Sequence, residues 1–491
     1  MSEPPSGDTG PDQLSSSDMS SLLNEQGAIH VHVGGTAIFT GEPPPFEEFL
    51  AHVERRLELI PRFRRRVRWL PGRILRAEWE DDPDFDVARH VRHLAVPSPG
   101  GLPELRELVG RVMSEPLDQS RPLWQLYLVE RCGGGGEGAD GDWGFAAISK
   151  THHALVDGVS AVDVGAIILD PDPEGTDLGL SGVEWTPRSQ RSHQEVLTDR
   201  VFDARRKLFG MPREAARKAF DLSAPQSALK TAQGFLDLAR NSEAVRPTII
   251  NEEIGRDRRV AFAATTMAAM KGVAAESGTE ATVNDAVLAV STGALRRLFE
   301  HRGAAIPSDF SALVPMSIRK PGEELALGNR ITTLMVPLPL AEPDPVERLR
   351  RIHETTSRLK RSEAGRAASL VIEASGWVPP TMSRVLGQVG STAGAAADRT
   401  GVSRVVPQRI PWNLVISNVP GPPMPVYLLG RPLQSIHPFV PLSPQRRDLS
   451  IGVISYDGGL YFGFVGDRDR MADLDDFAGF IDAELAALGA G

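Results

Sequence analysis

Cysteine is nearly absent from this chain: among 491 residues only Cys132 carries a thiol. A single thiol excludes an intramolecular disulfide and any multi-thiolate zinc or iron–sulfur centre, and it fits a reducing interior such as the cytoplasm. Long apolar runs are missing as well. No stretch approaches the roughly 18 to 20 consecutive apolar residues of a bilayer-spanning helix; Val164–Leu169 is too short and Thr333–Leu340 is broken by proline. Any membrane contact is therefore expected to be peripheral. Positive charge is in deficit, with 54 basic against 64 acidic residues and a formal net charge of −10. Nothing global favours a nucleic-acid backbone, and an anionic ligand has to find a local basic site. The N-terminal stretch through Asp18 lacks the basic and apolar segments of a secretory signal, and its Ser, Pro, Gly and Asp content predicts a disordered tail over 1–19.

What is present is ordinary globular composition, 41% hydrophobic and 24% charged, in a chain long enough for several domains. Phe46, Phe49, Leu50, Val53, Leu57 and Ile60 recur at spacings of three and four, which predicts a helix with one buried face that Pro61 closes. The basic segment Arg62–Arg68 that follows reads as a solvated strand edge rather than a phosphate or membrane contact. Strands are predicted at Leu123–Val129 and Trp143–Ser149, separated by a Gly-rich loop at 133–138 that lacks the lysine and spacing of a phosphate-binding loop. A charged helical crossover with Arg205, Arg206, Lys207, Arg217, Lys218 and Lys230 is read as a connector between domains, with a lipid-headgroup surface as the alternative. Beyond it come a strand near Arg259–Ala264 and a helix capped by Thr282. Further strands are predicted at Phe310–Pro315, Ile331–Val336, Trp412–Ser417, Ser450–Tyr456 and Leu460–Val465, then a last helix through Leu474, Phe477, Ile481, Leu485 and Leu488. The expected organisation is an N-terminal α/β (α+β) domain over 20–187, a helical linker over 188–245 and a second α/β domain over 246–491.

The sharpest motif is His152-His153-Ala154-Leu155-Val156-Asp157-Gly158, at a predicted strand-to-helix turn, a place from which a rigid base presents side chains to ligands. Three readings compete. A metal site is weak, because adjacent histidines on an extended segment point to opposite sides. A purely structural reading has Asp157 capping the next helix and Gly158 making a tight turn. In the third, one imidazole is a general base and Asp157 organises the site.

The order of further motifs bears on that choice. Pro122-Leu123-Trp124, the His-His segment, Thr282-Val283-Asn284-Asp285, Pro315-Met316-Ser317-Ile318-Arg319 and Asn418-Val419-Pro420-Gly421-Pro422 follow one another. From about His30 onward the chain resembles the bacterial wax ester synthase/acyl-CoA:diacylglycerol acyltransferase family. That family is a branch of the CoA-dependent acyltransferases that includes chloramphenicol acetyltransferase and peptide-synthetase condensation domains. The resemblance implies two chloramphenicol-acetyltransferase-like domains with the active site at their interface, and a long-chain acyl group moving from acyl-CoA to the hydroxyl of diacylglycerol or a fatty alcohol. It implies that His153 is the catalytic base, that His152 supports it, and that Asp157 forms a structural salt bridge with Arg319. Asn284 is the candidate oxyanion donor, although it or Asp285 can equally satisfy amides at its helix start. Gly158, Asn418, Pro420 and Gly421 are expected to shape a loop or the substrate tunnel, and Ile331–Val336 to line it. Trp124 reads as core. Cys132 has no adjacent base and is not read as a nucleophile. No cofactor beyond the co-substrate acyl-CoA and no metal are expected. The site of action is expected in the cytoplasm, at the inner membrane face or a lipid droplet. Two rivals are an acyltransferase with a carrier-protein donor and a non-enzymatic lipid-droplet-binding protein; acceptor preference and oligomeric state are not readable.

Overall fold

The computed structural model describes residues 13–25, 27–70, 77–130, 144–156, 168–180, 185–189, 192, 195, 245–276, 278, 280–317, 331–361, 410, 412–442 and 446–489. The Gly-rich loop, most of the expected linker, and Asp157, Gly158 and Arg319 lie outside these residues.

The expected tail is corrected over residues 13–19. Residues Ser16–Asn24 form helix α1, started by a reciprocal cap in which Ser15 Oγ accepts from the Asp18 amide and Asp18 accepts from the Ser15 amide. Leu14, Met19 and Leu22 are buried in the N-terminal core. Composition suggested disorder because the apolar residues are few, yet they recur on one side of the helix, and one buried stripe is enough to dock it.

The N-terminal half then runs through β1 (His32–Phe39), α2 (Phe46–Arg56), β2 (Arg65–Arg68), β3 (Glu78–Asp81), β4 (Val91–Ala95), α3 (Leu102–Ser114), β5 (Trp124–Glu130), β6 (Phe145–His152) and the short α4 (His153–Val156). The basic segment is the strand edge that was expected. In the β2–β3 hairpin Arg65 meets Asp81 at 3.1 Å and Arg66 meets Glu80 at 2.9 Å, so the arginines are occupied by acids of the facing strand. Pro61 ends the region of α2 by opening a single 3₁₀ turn.

The C-terminal half contains β7 (Arg258–Thr266), α5 (Met267–Glu276), α6 (Val283–His301), β8 (Ser311–Ser317), β9 (Ile331–Pro337), α7 (Pro345–Arg361), β10 (Leu414–Pro420), β11 (Tyr427–Leu428), β12 (Arg431–Phe439), β13 (Leu449–Tyr456), β14 (Gly459–Asp467) and α8 (Leu474–Ala487). Its sheet has the order β7-β14-β13-β10-β8-β9, and its core is gathered around the buried helix α6. Leu334 and Val336 of β9 belong to that core, which corrects their expected place in a substrate tunnel.

The two halves are not separated where the sequence divides them. The N-terminal sheet has the order β11-β12-β1-β6-β5-β4, so β11 and β12 cross over from the second half and β12 pairs antiparallel with β1. A third apolar cluster joins Tyr127, Val129 and Ile148 to Phe262, Phe439 and Val465 across the seam. Here β12 lies against β13 and β14 so closely that a Cβ on Gly463 would sit 2.0 Å from the Pro438 carbonyl oxygen, and one on Gly452 2.8 Å from it. Only glycine at this facing pair permits the approach.

Candidate active site

Strand alternation sorts the residues around the motif. On β6, Ala147, Ser149 and Thr151 face an apolar cavity, while the Lys150 ammonium on the other side donates to the Val112 carbonyl of α3 at 2.7 Å. The cavity, of about 190 Å³, lies at the seam of the two halves. Its first wall is Val33, Gly35, Ala37 and Phe39 of β1 with Val53 and Leu57 from the α2 region. The second wall comes from the other half: Ser417 and Val419 of β10, Ile436 and Pro438 of β12, and Val453 and Ile454 of β13. Arg56 reaches its rim but is held by buried Asp170. Trp124 is buried as expected, its indole N–H donating to the Phe63 carbonyl at 2.7 Å, and it also borders the cavity.

His153 is half-buried and begins α4 where β6 ends. Its amide donates to the Val31 carbonyl and that of His152 to the Leu123 carbonyl, both at 2.9 Å, so the backbone of the pair is anchored from both sides. The His152 ring is fully buried; its Nδ1 accepts from the Ala154 amide at 3.1 Å, and its Nε2 lies 3.3 Å from Oε2 of Glu25. The ring is thus turned into the protein interior, with one nitrogen hydrogen-bonded and the other beside a carboxylate.

On the facing half, Asn284 and Asn418 come together: Asn418 Nδ2 donates to Asn284 Oδ1 at 3.4 Å. The two readings of this helix start are now separable. Asp285, not Asn284, does the capping, accepting from the Thr282 amide at 2.9 Å and from Thr356 Oγ1 at 2.7 Å. The Asn284 side-chain NH₂ is buried and, among the described residues, meets no acceptor. Ser417 and Val419, the neighbours of Asn418, line the same cavity as Thr151, the residue before the histidine pair. Pro420 and Gly421 stand past this wall, the Gly421 amide donating to Ser455 Oγ at 3.3 Å, and so hold the turn after β10.

Glu25, His30, His32 and Gln119 escaped the sequence reading. The Glu25 carboxylate faces His152 through one oxygen and His32 Nε2, 3.2 Å away, through the other, and Gln119 Nε2 donates to it at 2.9 Å. The His30 and His32 rings stack with centroids 5.4 Å apart. Burial alone would push the Glu25 carboxyl up; the His152 and His32 N–H groups outweigh it and hold the group far below the usual carboxylate range. Burial lowers His30 and His32 to about 4, keeping both rings neutral. Glu25, His30 and His32 bring one ligand atom each within 4.8 Å of one another. The cations of Arg258 and Lys150 bear on His30 and oppose further positive charge there, and Gln119 donates to the carboxylate. The only hint in the sequence was the i, i+2 spacing of His30 and His32 on an extended segment.

The model of the wax ester synthase/diacylglycerol acyltransferase catalytic domain matches residues 14–287, more than half of the chain, and that of the WS/DGAT C-terminal domain matches residues 327–489. The chain belongs to this family. A probable diacylglycerol O-acyltransferase, tgs1 of Mycobacterium tuberculosis (strain ATCC 25618 / H37Rv), is 30% identical over 471 residues, covering 94% of this chain and 91% of that protein. Among solved structures, the wax ester synthase/diacylglycerol acyltransferase of Marinobacter aquaeolei VT8 superposes with a TM-score of 0.64 at 24% identity, over 98% of this chain and all of the other. A starter condensation domain of rhizomide synthetase has the same fold, with a TM-score of 0.52 at 11% identity over 97% of this chain and 94% of that one. The expected paired acyltransferase halves are therefore present in this WS/DGAT protein. Among the described residues no helix is long and apolar enough to cross a membrane.

Proposed function

We propose that the protein transfers a long-chain acyl group from acyl-CoA to the free hydroxyl of diacylglycerol, making triacylglycerol, and that fatty alcohols serve as a second class of acceptor. Family membership supports the reaction class. The observation that carries the site is the apolar cavity walled by both halves, bordered by the strand that leads into His153 and by the strand that bears Asn418. Each methylene buried there contributes about 0.8 kcal/mol, enough for an acyl chain to dominate binding to an acidic protein.

The chemistry assigns His153 its role. An alcohol with a pKa near 16 cannot be deprotonated in advance by an imidazole near 6.5, because the gap of roughly 9 units is on the order of 13 kcal/mol. The proton must therefore move to the ring as the hydroxyl oxygen attacks the thioester carbonyl. The tetrahedral oxyanion is met by the Asn284 NH₂, and its collapse expels the CoA sulfur, which takes the proton back from His153. One carbon–oxygen bond forms, one carbon–sulfur bond breaks, and no acyl-enzyme is needed. The Asp157–Arg319 pair enters by family resemblance and is assigned to holding the fold. Diacylglycerol dissolves in lipid and not in water, so the protein is expected to work at a membrane or lipid-droplet surface.

The deciding experiment supplies palmitoyl-CoA with and without acceptor. Free thiol should appear only with diacylglycerol or hexadecanol, and His153→Ala should abolish it while the melting temperature holds. Thiol release without acceptor would instead identify a hydrolase. One labelled acyl-CoA offered to an equimolar mixture of the two acceptors ranks them.

A further inference from the structure

We infer that Glu25 is a positioning residue of this active site: its carboxylate orients the ring of His152 and, through that ring, the turn that presents His153. The inference rests on the acyl-transfer reading above.

The argument is one of proton placement. Nδ1 of His152 accepts the Ala154 amide, so it carries no proton and the ring hydrogen resides on Nε2. Nε2 stands 3.3 Å from Glu25 Oε2 without hydrogen-bond geometry, so the carboxylate acts on the N–H dipole through its charge. The carboxylate cannot swing away to improve it, because Gln119 holds Oε2 and His32 stands at Oε1. Residues 152 and 154 are thereby tied to each other through the His152 ring, and His153 lies between them. Removing the carboxylate takes away the negative charge that stands beside the buried Nε2–H, and the ring's alternative tautomer would place a proton against the Ala154 amide. A carboxylate that fixes tautomer and orientation behind a histidine is a known device in hydrolases; here it acts one residue away from the base. Glu25 follows α1 directly, and α1 packs on α4, so the N-terminal helix that composition would dismiss as tail completes the site.

Glu25→Ala and Glu25→Asp are compared with wild type at saturating diacylglycerol, with palmitoyl-CoA varied. Nitrogen NMR of histidine-labelled protein reports the tautomer, the His152 signals being assigned with His152→Asn. For Glu25→Ala, kcat should fall roughly ten- to a hundredfold while KM for palmitoyl-CoA stays within about twofold, and Glu25→Asp should regain part of the loss. Wild type should show the Nε2–H tautomer alone and Glu25→Ala a mixture. An unchanged kcat in Glu25→Ala, or an unchanged tautomer, overturns the assignment. Should Glu25→Ala not fold, Glu25→Gln keeps the length but turns one oxygen into a donor facing another donor, and the same two readouts decide. If wild type transfers no acyl group at all, the acyltransferase reading fails separately, and the tautomer comparison still tests Glu25.

Discussion

The cavity makes a quantitative statement about chain length. Ala37 of β1 and Ala147 of β6 face one another across the paired strands, and both line it, so part of its width exists because two neighbouring side chains stop at Cβ. Replacing Ala147 by Leu adds three carbons to that wall, the space of about three methylenes of a bound chain. At about 0.8 kcal/mol per methylene the long-chain transition state loses about 2.4 kcal/mol, or roughly 60-fold in kcat/KM. A chain too short to reach the alanine pair loses nothing. The assay is thiol release from a series of saturated acyl-CoAs with diacylglycerol held constant. The expected result is a selective collapse for the longest chains with short-chain rates preserved, so that the preferred length shortens. A uniform loss at every length would mean that the substitution damages the fold or the catalytic groups. No change in a protein that melts normally would mean that the acyl chain lies elsewhere; either result refutes the placement.

Other outcomes follow from the same geometry. Asn284→Asp keeps the shape and loses the NH₂ donor, and should lower kcat by about a hundred- to a thousandfold in steady-state assays; an undiminished kcat would remove Asn284 from the oxyanion role. Gly463→Ala forces a methyl into the space of the Pro438 carbonyl, and should cost about 1–3 kcal/mol or more in urea denaturation, since β12 must retreat from β14. Acid should destabilise the fold. Burial lowers His30, His32 and His437 to about 4, so between pH 6.5 and 4 the unfolded chain binds more protons than the native one, and stability present near neutrality is lost as the pH falls. Each ring contributes on the order of 1–2 kcal/mol between about pH 7 and 5. Asp448, pushed up to about 6 by burial, and Asp482, also raised by burial, act in the opposite direction, while burial lowers His52 and His90 as well. Thermal melts across that range should fall with pH, and less steeply in His437→Gln; a flat profile would contradict the burial of these rings.

What the chain alone determined is what depends on neighbours in sequence. The stripe of α2, the Thr282 cap of α6, the hydrophobic runs of β5, β6, β13 and β14, and the spacing of α8 were all readable, because a helix or strand selects its face from residues a few positions apart. The histidine pair was readable for the same reason, its order with later motifs completing the family resemblance. Short or interrupted elements were not: α1 carries few apolar residues, and β12 contains Pro432 and Pro438 and has a partner, β1, some four hundred positions earlier. The competition between Asn284 and Asp285 for the helix start was undecided until His353 and Thr356, brought from α7, were seen to claim Asp285. Glu25, Gln119, His32 and His152 come from separate stretches, and nothing in local pattern announces that they meet. Burial around a shared carboxylate is a property of the packed chain, since only the docking of α1 beside the paired strands β1 and β6 brings those charges and dipoles to one point.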